Sequence, residues 1–290
     1  MLKQIFPLVA FALGAVALNE TIDGYAYFLS GPKQDQPKTD YEHEAAITAL
    51  SLLKKRMAEA NETLPDLPED NVAAVLTLKQ YLTTSKLEVL LTHDMDDADT
   101  FWHDIINNST SSLTDWKAAK ARGVIFLPNV TATSFAAWYA SPYADAANLA
   151  ANPEHYAKNT EQTSTGLSSK ILEGWGGVTT NFTIPNFGVP DRASNPFLDP
   201  LPEFPIQEAG DKVLRDNTRF GVLHIAVRSV SGSDYGQGID GFEVYSAVWY
   251  PSGVEDDHLE YESRHMINEI VNLTLQAQRD IENGTFTVSS

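Results

Sequence analysis

Phe220–Val230 (FGVLHIAVRSV), followed by Gly241–Trp249 (GFEVYSAVW), is the stretch on which the fold turns. Both runs are dense in β-branched and aromatic residues, and their side chains alternate in character, the pattern of strands with one face in a core. The ten residues between them, Ser231–Asp240, are rich in turn formers, so an antiparallel hairpin with a long loop is expected. A helix over Val254–Ile281 follows. There Leu259, Met266, Ile270 and Leu273 recur at helical spacing and make an apolar stripe that can pack back on the hairpin.

Upstream of the hairpin, Pro185, Pro190, Pro196, Pro200, Pro202 and Pro205 crowd one segment, which reads as an extended loop or lid between two halves. Before it, helices are expected from Thr39 or Asp40 to Ala60, over Val72–Leu82, around Ala98–Ile106 and over Asp115–Arg122. Ser134–Tyr156 reads as helical pieces, and short strands are expected at Leu87–Leu91 and Val124–Leu127. Strands and helices segregate more than they alternate. The fold class is therefore α+β: an antiparallel sheet with a C-terminal hairpin packed by a long amphipathic helix, and a mainly helical N-terminal half. The expected organisation is a signal peptide at 1–17, a mainly helical half at 18–184, a Pro-rich loop at 185–205 and a hairpin-plus-helix half at 206–290. The two halves can also be read as one continuous domain.

The leader sets the compartment. Lys3 gives a short positive start, Ile5–Val16 an apolar run too short to span a bilayer, and Ala15-Val16-Ala17 a small-x-small cleavage site, so a secreted, extracellular protein without a stable membrane anchor is expected. Asn-X-Ser/Thr sequons at Asn19, Asn61, Asn107, Asn108, Asn129, Asn181 and Asn283 are candidate glycan acceptors; the one at Asn272 falls inside the expected C-terminal helix and is set aside. The chain has no cysteine, so stability must come from its core rather than from disulfides. Its net charge of -19 disfavours nucleic acid and anionic lipid as partners.

On the first strand of the hairpin, alternation places His224 and Arg228 opposite Leu223, Ile225 and Val227. The return strand separates Glu243, Tyr245, Ala247 and Trp249 from Phe242, Val244, Ser246 and Val248. If the polar faces coincide, a base, an anion stabiliser and a phenol share one surface. On the C-terminal helix, His258, Glu262, His265 and Glu269 stack along one face beside the apolar stripe. That face reads as a solvated flank, with a catalytic or metal role for His265 as the sharper alternative.

Four further patterns have structural readings. His93–Asp99 is an acidic turn between a strand and a helix, and it fails the EF-hand pattern because Asp99 and Ile105 occupy the glycine and terminal glutamate positions. Gly236–Gly241 matches Gly-x-Gly-x-x-Gly but leads into a strand, where it cannot cradle a dinucleotide. Glu173–Gly177 and Asn152–Tyr156 are compact turns, each open to a structural or a ligand-binding role.

The function expected from these residues is a secreted glycoprotein with a pocket for a small organic molecule, acting as a cofactor-independent acid/base lyase, isomerase or cyclase. His224, Arg228, Tyr245 and His265 are the candidate catalytic residues, with no metal and no cofactor. The alternative is a non-catalytic extracellular protein that binds a ligand or partner. A metalloprotein would require some of His93, His103, His258 and His265 to converge.

Overall fold

The computed structural model describes residues 17–31, 36–164 and 166–287; the leader through residue 16 lies outside the described residues. In chain order the elements are β1 (Leu18–Ile22), β2 (Tyr25–Ser30), α1 (Lys38–Glu59), α2 (Asn71–Leu90), α3 (Thr92–Asn107), β3 (Lys117–Phe126), α4 (Ala132–Tyr139), α5 (Tyr143–Ala151), β4 (His155–Thr163), β5 (Gly166–Trp175), β6 (Val178–Phe187), β7 (Ile206–Leu214), β8 (Arg219–Val230), β9 (Gly241–Tyr250) and α6 (Asp256–Glu282). The protein is α+β, as its pattern implies. All nine strands join one antiparallel sheet in the order β1-β2-β3-β9-β8-β7-β6-β5-β4. The expected hairpin is β8–β9, and it sits inside the sheet because β9 also pairs with β3. Strands from both sides of the Pro-rich segment thus share a single sheet. No helix among the described residues is long and apolar enough to cross a membrane.

The two faces of the central strands are covered differently. Leu223 and Ile225 of β8 and Val244 and Val248 of β9 meet α6, whose Met266, Ile267, Ile270 and Val271 are buried against them. On the reverse face Val222, Ala226, Tyr245, Ala247 and Trp249 pack against Leu198, Leu201 and Phe204 of the Pro-rich segment. That segment is a strap clamped over the sheet, and residues 185–187 at its expected start belong to β6. Prolines donate no hydrogen bond, so the strap's carbonyls need donors from elsewhere. Arg192 supplies them to Asp199 and Pro200, and Gln207 to Leu201 and Phe204. Pro185 is tolerated inside β6 because the pairing with β5 skips there, between Leu167↔Phe187 and Ser169↔Ile184.

Three local expectations are overturned. Asp115–Arg122 is not helical: a 3-10 turn over Leu113–Asp115 leads into β3. The run alternates small with charged residues. Ala119, Ala121 and Gly123 lie beneath α6, whereas Lys120 and Arg122 reach Asp199 and Glu243 on the strap face. The small side matters, since a Cβ on Gly123 would stand 2.7 Å from Ile270 Cγ2. Leu87–Leu91 is not a strand. It continues α2 beyond a kink at Thr83 (φ 61°, ψ 158°), with Leu87 and Leu91 buried one turn apart against α1; a five-residue apolar run cannot by itself separate strand from helix. His93–Asp99 consequently lies within α3, where Arg56 holds Asp94 and Arg215 holds Asp96 and Asp99.

Candidate functional site

The polar residues of α6 do not form a solvated flank. His258, Glu262 and His265 are buried, and Glu269 is partly so. They face β4, β5 and β7, whose contributions are set by two turns. In the first, Asn152 folds its side-chain oxygen back onto the Glu154 amide, and its carbonyl accepts from the His155 amide. Lys79 of α2 donates to the carbonyls of Leu149, Asn152 and His155, pinning this turn from beneath. The second turn closes β5–β6 through Gly176 (φ 56°) and Gly177 (φ 79°), the paired left-handed conformation that a two-residue hairpin needs. The two strands then bring His155 and Glu173 into register as cross-strand partners.

Around His155 the groups converge tightly. Its Nε2 lies 2.8 Å from His265 Nε2, 3.4 Å from Glu269 Oε1 and 3.5 Å from Glu173 Oε2. One donor atom from each of these four residues lies within 4.8 Å of every other, which makes them a set that could hold a metal among the described residues. His155 Nδ1 is 2.6 Å from the Asn148 carbonyl, and Asn148 Nδ2 donates to Glu269 Oε1. Lys212 continues the network, with its Nζ 3.5 Å from Glu173 and 3.7 Å from Glu262, and Tyr250 donates to Glu262. The ammonium lies within 4.3–4.5 Å of the ring centres of Phe182 and Trp175, a cation–π setting that excludes water.

Burial dominates the electrostatics. Desolvation, reinforced by Glu173 and Glu262, pushes the Glu154 carboxyl up to about 8. Desolvation pushes Glu262 up to about 7 despite Lys212, and Glu269 to about 8. The same effect lowers His265 and His258 to about 4 and carries His155 well below its ordinary value, with His265 adding to the shift.

A cleft of about 260 Å³ reaches this centre from outside, lined by Tyr41 and Glu44 of α1, by Asn152, Glu154 and Trp175, and by Tyr261, His265 and Asn268 of α6. Gly174 leaves the space that the Glu154 carboxyl fills, since a Cβ there would lie 3.2 Å from Glu154 Oε1. Trp175 Nε1 and Asn268 Oδ1 are buried and make no hydrogen bond within the protein.

The residues expected to act together are split between the two sides of the sheet. His265 belongs to this centre. His224, Arg228 and Tyr245 share the opposite face, where β8–β9 register sets Arg228 against Glu243 and Ala226 against Tyr245. There each has a different partner beneath the strap, and His224 Nδ1 is buried without a hydrogen bond. Tyr245 donates to Asp199, which also pairs with Lys120, while Arg228 pairs with Glu243 and His224 Nε2 lies 3.3 Å from Gln207 Oε1. Burial, with Arg192 adding to it, lowers His224 to about 4. His93 and His103 stand at the surface beside Asp97 and Asp216 and do not converge with His258 or His265.

His155, Glu173, Glu154, Asn148 and Lys212 are functional candidates that sequence reasoning passed over. The compact turns Asn152–Tyr156 and Glu173–Gly177 carry Glu154, His155 and Glu173, but nothing local to either turn shows that they meet, and Asn148 in α5 and Lys212 in β7 have no such signal. Among the sequons, Asn19, Asn61, Asn107, Asn108, Asn129 and Asn283 are exposed. Asn181 is 6% exposed, with Nδ2 against Met95 Sδ, so the folded chain has no room for a glycan there and it leaves the set of acceptors.

No protein-family model and no curated protein matches this chain. Among solved structures, a protein of unknown function from Staphylococcus aureus is similar over 59% of this chain and 97% of its own, at 8% identity and a TM-score of 0.32.

Proposed function

We propose that the protein is a secreted glycoprotein that takes a small organic molecule into the cleft between α1, the β5–β6 turn and α6, and there performs proton-transfer chemistry as a lyase, isomerase or cyclase. The observation that carries this reading is the coincidence of two unpartnered buried polar atoms, Trp175 Nε1 and Asn268 Oδ1, with residues that line one cleft beside His265. A buried polar group left without a partner costs about 1–3 kcal/mol, so a ligand that supplies an acceptor for the indole and a donor for the amide oxygen is favoured. We assign the proton exchange to Glu154, with His265 beside it in the lining of the cleft. Exposed sequons support the glycoprotein part of the proposal, and the leader supports secretion.

The test is a ligand-observed NMR screen of fragment-sized carbonyl and carboxylate compounds against the mature chain, repeated on Tyr261→Ala and Asn268→Ala. Hits that weaken at least tenfold in both variants, with thermal stability kept, are expected. A screen without hits, or hits indifferent to both substitutions, would refute the cleft as the binding site. Expression with its own leader in a eukaryotic host should place a glycan-bearing chain in the medium, and an intracellular, unglycosylated product would refute secretion.

A further inference from the structure

We propose that His155, Glu173, His265 and Glu269 form a site for one divalent first-row transition ion, with Zn²⁺ the first to test. The argument starts from a proton. His155 Nδ1 faces the Asn148 carbonyl at 2.6 Å, and a carbonyl can only accept, so Nδ1 carries the hydrogen. In the neutral ring Nε2 is then a bare lone pair. Yet this is the atom around which two carboxylate oxygens and a second imidazole nitrogen gather at 2.8–3.5 Å. His265 can donate one hydrogen to it, and the two carboxylate oxygens remain gathered about the same atom at 3.4–3.5 Å without a second donor from the imidazoles. A cation at the centre would take all four atoms as ligands, displacing any carboxyl proton they share.

The geometry is of the right scale. Metal–ligand distances of about 2.0–2.2 Å in a tetrahedron place donor atoms roughly 3.3–3.6 Å apart. His155 Nε2 stands 3.4 and 3.5 Å from the two carboxylate oxygens and 2.8 Å from His265 Nε2, and the four atoms lie within 4.8 Å of one another, so coordination requires small side-chain adjustments. Two imidazoles with two carboxylates are a donor set that suits zinc, manganese or iron(II) better than calcium. Outer contacts of the kind that orient metal ligands are already in place: the Asn148 carbonyl on His155, Asn148 Nδ2 on Glu269 and Lys212 on Glu173. Lys212 is ion-paired within the centre to Glu173 and Glu262, and metal binding would release the protons that burial favours on the neighbouring carboxyls. The ion's binding stands apart from the small-molecule reading; only its use as an electrophile at the floor of the cleft, which His265 also lines, rests on that reading.

The experiment strips the mature chain with EDTA and titrates it with Zn²⁺ by calorimetry, with elemental analysis of the reloaded protein and a Co²⁺ absorption spectrum. One ion per chain with submicromolar Kd and a four-coordinate cobalt spectrum is expected. His155→Ala and Glu269→Gln should each weaken binding at least 100-fold, and the surface variant His93→Ala should leave it unchanged. Stoichiometry far below one, or affinity indifferent to His155→Ala and Glu269→Gln in folded protein, would overturn the site. Should those variants fail to fold, the wild-type titration decides: no Zn²⁺ bound to the folded wild-type chain overturns it as well. Fragment binding that survives in stripped protein while Zn²⁺ fails to bind removes the metal site alone. Zn²⁺ binding without fragment hits removes the cleft reading alone.

Discussion

Replacing Lys212 by Met isolates the electrostatic role of the cation at the centre. Lys212 is 2% exposed, and its ammonium lies 3.5 Å from Glu173 and 3.7 Å from Glu262. Methionine preserves the unbranched stem that runs between Phe182 and Trp175, so packing is largely retained and the charge is what is lost. Removing one partner of a buried ion pair costs at most about 3–5 kcal/mol, and less where the carboxyl left behind takes up a proton, as Glu262 at about 7 can. In a chain of this size the full cost corresponds to a fall in Tm of roughly 6–20 °C. Urea unfolding followed by tryptophan fluorescence in EDTA at neutral pH should show the loss. Adding Glu262→Gln, which removes the charge that Lys212 compensates, should restore at least ~1 kcal/mol, a coupling readable from the double-mutant cycle. A single-variant loss below ~1 kcal/mol, or strict additivity, would show that this pair does not compensate charge.

Gly123→Ala should destabilise by about 1–3 kcal/mol through the clash with Ile270, and Ile270→Ala in the same chain should recover part of that; urea midpoints that simply add refute the contact as the cause. His224 is lowered to about 4, so between pH 6.5 and 4 the unfolded chain takes up a proton that the folded chain refuses. Its contribution is complete above pH 6.5 and is lost as pH falls to 4, by about 2 kcal/mol once partial screening is allowed for. Relative to His224→Gln, the wild type should lose that much more stability between pH 7.5 and 4.5, and parallel profiles would refute it. In secreted protein, Asn181→Gln should leave the glycan mass unchanged, whereas Asn283→Gln should reduce it; an Asn181-linked glycan found by mass spectrometry would refute the burial argument.

The strongest local patterns were read most securely. The alternation in β8 and β9 and the apolar stripe of α6 each sit in consecutive residues, and each appears where expected. The β3 error has the same root: Lys117–Gly123 contains three alanines, good helix formers, and only the fit of Ala119, Ala121 and Gly123 beneath α6 makes its period-two pattern decisive. The face of α6 that carries His258, Glu262, His265 and Glu269 was visible as a stack, but a stack of polar residues is ordinarily wet. It is dry here because Lys212, Glu173 and His155 arrive opposite it from strands distant in the chain.

By itself, then, the chain determined the α+β class, the central hairpin and the long helix that packs on it, since these follow from periodicity within a single segment. The tertiary structure alone decided which polar groups share a site. The pleat put His224 and Tyr245 on one side of the sheet and left α6 on the other. Cross-strand register joined His155 to Glu173. Burial then removed the water that would otherwise have kept these charges apart, and no residue carries that information in its neighbours along the chain.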